Sequence, residues 1–93
     1  MLEEMEEEYN QFLEDMKCGK TFCRYLDETE YEDNYSHNEI DKYQTEFIEK
    51  ASEYLHKYFP GIYIISSGWC VFVMTVEEAK ERNVYLYEHY IVK

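Results

Sequence analysis

The chain has 93 residues, a formal charge of −12, and 45% apolar and 18% aromatic residues. That length suits one domain, residues 1–93, whose folding hides about 60–65% of the unfolded surface and leaves modest stability. The aromatic and apolar content excludes a wholly disordered acidic tail, and no run approaches the roughly 18 apolar residues of a membrane span.

Leu2, Met5, Tyr9, Phe12, Leu13 and Met16 recur at helical steps, so the spacing predicts a helix over residues 2–17. Glu3, Glu4, Glu6, Glu7, Glu8, Glu14 and Asp15 fall outside that stripe at 100° per residue, which makes the solvent face a carboxylate face. Gly19 supplies a helix stop. Residues 20–26 are β-prone and are assigned a short strand. Residues 27–35, "DETEYEDNY", hold five carboxylates and two tyrosines with no lysine, arginine, glycine or proline, and read as an acidic loop.

Ser36-His37-Asn38-Glu39 has the Ser-x-x-Glu spacing of a capping box, so a second helix is expected to begin at Ser36. Ile40, Tyr43, Phe47, Ile48, Ala51, Tyr54, Leu55 and Tyr58 continue its apolar stripe up to Phe59-Pro60-Gly61, where proline stops the ladder. Ile62–Ile65 and Trp69–Met74 are β-branched and aromatic runs around Ser66-Ser67-Gly68, and predict two strands joined by a tight turn. Thr75-Val76-Glu77-Glu78 repeats the capping spacing before a short helix over Glu77–Arg82, and Val84–Val92 reads as a last strand. The expected class is α+β: two helices packed on a small antiparallel sheet made of a β-hairpin and a C-terminal strand, with a short helix between.

Chemistry is sparse. His37, His56, His89 and the cysteines form no paired zinc knuckle, and the acidic loop lacks the glycine and the ordered Asp pattern of a calcium loop, so no metal is expected. There is no nucleophile elbow, no phosphate-cradling glycine loop and no His-Glu-x-x-His. Cys70 and His89 could meet across strands, but a buried structural cysteine is the commoner case. No catalytic residue and no cofactor are expected, and the chain reads as a non-enzyme. Met1-Leu2-Glu3-Glu4 lacks the basic start of a signal peptide. Cys18, Cys23 and Cys70, without a Cys-x-x-Cys spacing, fit a reducing, cytoplasmic setting without disulfides.

Charge is the informative feature. Residues 1–35 carry 12 acids and 3 bases, residues 36–58 carry 5 and 3, and residues 59–93 carry 4 and 3, giving −9, −2 and −1. Such asymmetry concerns partners and solubility rather than fold, and a basic partner is the natural inference. Glu3 with Glu7, and Glu4 with Glu8, lie about 6 Å apart on a helix, a repeat comparable to successive phosphates of one nucleic-acid strand. The bland alternative is a solvated face that confers solubility. Tyr25, Tyr31 and Tyr35 lie off any periodic apolar face and either add contact area to a binding surface or pin the loop to the body. The candidate partner-binding residues are Glu3, Glu4, Glu7, Glu8, Asp27, Glu28, Glu30, Tyr31, Glu32, Asp33 and Tyr35.

In size, charge and the tyrosine-laced stretch "LDETEYEDNY", the first third of the chain resembles the small acidic proteins with which phages and mobile elements block host defence, the anti-CRISPR and anti-restriction DNA mimics. That resemblance implies an inhibitor that binds no nucleic acid itself. It would occupy the nucleic-acid channel, or the PAM-reading basic pocket, of a nuclease complex in the bacterial cytoplasm. An allosteric contact through the sheet remains open. So do two other classes: an interaction module for an unrelated basic partner, and a small regulatory domain that dimerises through its last strand.

Overall fold

A computed structural model describes residues 3–66 and 70–82. Helix α1 covers Glu3–Lys17, strand β1 Phe22–Tyr25, the single-turn helix α2 Glu28–Tyr31, and the long helix α3 His37–Tyr58. Strands β2, Ile62–Ser66, and β3, Val71–Thr75, follow, and then the short helix α4, Val76–Glu81. The class is α+β, as expected. The strand expected over Val84–Val92, the hairpin turn at 67–69 and His89 lie outside the described residues.

The sheet runs β1-β3-β2, with β3 antiparallel to both neighbours. Strands β1 and β2 therefore point the same way, with β3 inserted between them and α2 and α3 forming the crossover. Cys23 is opposite Val73, which is opposite Ile64, so these three share one face, and all are buried. Cys23 and Tyr25 turn inward while Arg24 stays exposed, the period-two alternation of a half-buried strand. The helices cover that inner face.

Helix α3 is anchored by the capping box that its sequence announces. Ser36 Oγ accepts from the Glu39 N–H at 3.3 Å, and the Glu39 carboxylate accepts from the Ser36 N–H. Its buried face is Ile40, Gln44, Phe47, Ala51 and Leu55. Tyr58, assigned to the core stripe, is instead 55% exposed at the last turn, where its ring packs 4.9 Å from Tyr54 and under Lys57. Phe12 of α1 sits at the centre of the core, edge-on to Tyr25, Phe47 and Tyr54, and Tyr25 stacks on Phe47. Each such ring pair adds about 0.5–1.5 kcal/mol beyond its burial. Gly19 (φ +76°) and Gly61 (φ +95°) take left-handed turns after α1 and α3, where a side chain would be strained.

Asp15 corrects the sequence reading. Expected on the solvent face of α1, it is only 6% exposed. The Tyr25 hydroxyl donates to Oδ2 at 2.7 Å, Gln11 Nε2 to Oδ1 at 2.9 Å, and Lys20 Nζ lies 3.1 Å from Oδ1. Burial pushes the Asp15 pKa up, but these donors outweigh it and hold the carboxyl below its ordinary value. No disulfide joins Cys18, Cys23 and Cys70.

Candidate acidic recognition face

The acidic stretch leaves β1 through Leu26, a non-glycine residue at φ +53° whose side chain is buried. Two helices hold this left-handed turn. The Leu26 N–H donates to Glu8 Oε1 of α1 at 2.8 Å, and its carbonyl accepts from Gln44 Nε2 of α3 at 3.0 Å. A polar residue in the middle of the α3 core stripe, 1% exposed, is thereby explained. Asp27 then caps α2, accepting from the Thr29 N–H at 2.9 Å and the Thr29 hydroxyl at 2.7 Å. These bonds, the hydroxyl's first, hold its carboxyl below the ordinary value.

Tyr31, at the end of α2, is 8% exposed, and its hydroxyl donates to the second oxygen of Glu8. Burial first, then that bond and the charges of Glu8, Glu30 and Glu4, push the Tyr31 pKa far up, so the phenol remains a donor at neutral pH. Tyr35 is half-buried, 5.5 Å from Tyr43 in an edge contact and 6.1 Å from Tyr31. Tyr25 and Tyr31 thus pin the segment to the body. Of the three tyrosines in question, Tyr35 is the one that is also part-exposed.

Two parts of the chain that the sequence shows only as separate acidic runs meet here. Glu4, Glu7 and Glu8 of α1 and Glu30, Tyr31, Asn34 and Tyr35 line one cleft of about 310 Å³. Glu4, Glu7 and Glu30 are exposed, and no lysine, arginine or histidine is in the lining. Glu3, Glu32 and Asp33 are exposed but do not line it. Four of the eleven candidates are engaged within the fold: Glu8 and Tyr31 with each other, Asp27 as a cap, and Glu28, which is buried and contacts His37 Nδ1. Asn34 also lines the cleft and is not among the eleven candidates. Nothing in the local sequence marks it, because its place depends on the turn after α2, where its N–H reaches the Tyr31 carbonyl at 3.1 Å.

Chemically the cleft offers carboxylate acceptors beside tyrosine rings, an arrangement suited to ammonium or guanidinium groups. Among the described residues no group of histidine, cysteine and carboxylate side chains is placed to hold a metal ion. No described helix is long and apolar enough to cross a membrane. No family model, curated protein or solved structure matches the chain.

Proposed function

We propose that this chain is a non-catalytic, protein-binding inhibitor of the bacterial cytoplasm. Its acidic face would occupy a basic, nucleic-acid-binding surface of a defence nuclease complex. One observation carries this reading: carboxylates from α1 and from the segment after β1, more than 20 residues apart in sequence, converge on a single cleft with no cation in its lining. A face kept acidic only for solubility needs no such convergence. The exposed carboxylates Glu3, Glu4, Glu7, Glu30, Glu32 and Asp33 would meet lysine and arginine side chains that otherwise hold phosphates.

The test is a tagged pull-down from bacterial lysates carrying CRISPR and restriction systems, at low and high salt, with nucleic acid as competitor. A DNA- or RNA-binding complex displaced by both salt and nucleic acid supports the reading, and converting Glu30, Glu32 and Asp33 to lysine should abolish its capture and inhibition. Inhibition unchanged by that triple reversal, or a partner indifferent to added nucleic acid, would sink it.

A further inference from the structure

We infer that residues 27–35 form a strap hinged at Leu26, latched by Glu8 and Gln44, and held closed against electrostatic repulsion, so that cations tighten it.

The hinge is the left-handed Leu26, a conformation that a branched side chain adopts only where its surroundings impose it. The surroundings are the two latches: Glu8 accepts from the Leu26 N–H, and the Gln44 amide donates to the Leu26 carbonyl. Glu8 also holds the far end of the turn through the Tyr31 hydroxyl, so one carboxylate spans hinge and strap.

The load comes from charge. Glu30 of the strap shares the cleft with Glu4, Glu7 and Glu8 and no base, so closing brings like charges together. Apolar resistance to opening is concentrated in Tyr31, which is buried in the core cluster, and Tyr35, which packs on Tyr43, because Thr29, Glu30, Glu32, Asp33 and Asn34 are all exposed. With its apolar contacts confined to two tyrosines and its charge load unpaired, the segment would open locally before the helices it packs on. Screening or neutralising the cleft removes the load, and a basic partner surface would do so as counterions do, which couples closure to binding.

Chymotrypsin acting on the full chain reads the strap directly, since it cuts after Tyr31 or Tyr35 only when the segment opens. Cleavage is mapped by mass and normalised at each salt to a free peptide of residues 26–36. The expected result is strap cleavage about threefold slower in about 0.5 M than in about 0.02 M sodium chloride, with no matching change after Phe47 inside α3. Glu30→Gln, which leaves hinge and latches intact, should slow low-salt cleavage and flatten the salt response. Glu8→Ala should speed strap cleavage about tenfold, and Glu8→Gln, which retains an acceptor for the Leu26 N–H, should recover part of that loss. Salt-independent strap cleavage, or Glu30→Gln cut as fast as wild type at low salt, would overturn the inference. No partner enters this experiment, so its failure and that of the binding reading are distinguishable.

Discussion

Glu7 and Glu8 are neighbours on α1, yet they belong to different regions of the molecule. Glu8 lies on the flank that continues through Gln11 to Asp15, and that flank meets the chain leaving β1: Asp15 takes the Tyr25 hydroxyl, and Glu8 takes the Leu26 N–H and the Tyr31 hydroxyl. Glu7 belongs with Glu3, Glu4, Glu30, Glu32 and Asp33 on an exposed rim. The seam and the rim are both acidic, but the first consists of acceptors matched to donors and the second has surplus charge. Net charge alone does not separate them. What separates them is whether a donor from a distant part of the chain arrives.

The largest expected effect is in the seam. Asp15→Ala leaves the buried Tyr25 hydroxyl without its acceptor and Lys20 without its counter-ion. It should cost about 2–3 kcal/mol in urea unfolding. Tyr25→Phe should cost less, because its ring keeps the stack on Phe47.

Acid should reproduce part of the Asp15 loss. The folded-state pKa of Asp15, and that of Asp27, is lowered. Their contribution is therefore complete above the unfolded value of about 3.9 and is lost as pH falls through the lower folded value. The urea midpoint of the wild type should drop between about pH 5 and pH 2, and that of Asp15→Asn should drop less. An equal drop in both would remove Asp15 from the seam.

Asp27→Ala, which deletes the α2 cap, should cost about 1 kcal/mol, since the turn also retains the Tyr31 anchor. On the rim, Glu7→Gln or Glu32→Gln should change stability by less than about 0.5 kcal/mol, with relief of like-charge repulsion favouring a small gain. A rim substitution as costly as Asp15→Ala would erase the distinction.

Local signals account for what the sequence revealed. The capping box at Ser36, the stripe from Ile40 to Leu55 and the stop at Pro60 mark α3 within one residue of its observed bounds. The α4 helix was expected over 77–82 and spans Val76–Glu81, with Thr75 Oγ1 accepting from the Glu78 N–H at 3.1 Å as its capping spacing implied. Asp27 and Glu30 have an acid-capped spacing that marks α2, although the surrounding acidic composition points to a loop.

Pairing of β1 with β3 joins residues about 50 apart, and no local period records it. The same holds for the site. The acidic residues were legible as a group, but the division of Glu8, Asp15 and Glu28 from Glu4, Glu7 and Glu30 depends on where Tyr25, Leu26, Tyr31 and His37 come to lie.

The most direct measurement is partner capture by a chain with its cleft rim neutralised, Glu4→Gln/Glu7→Gln/Glu30→Gln, beside the wild type, with the urea midpoint of each measured. The seam and rim division predicts a midpoint no lower than that of the wild type and loss of the partner that nucleic acid displaces from the wild type. Capture at the wild-type level by that intact, neutralised chain would contradict it.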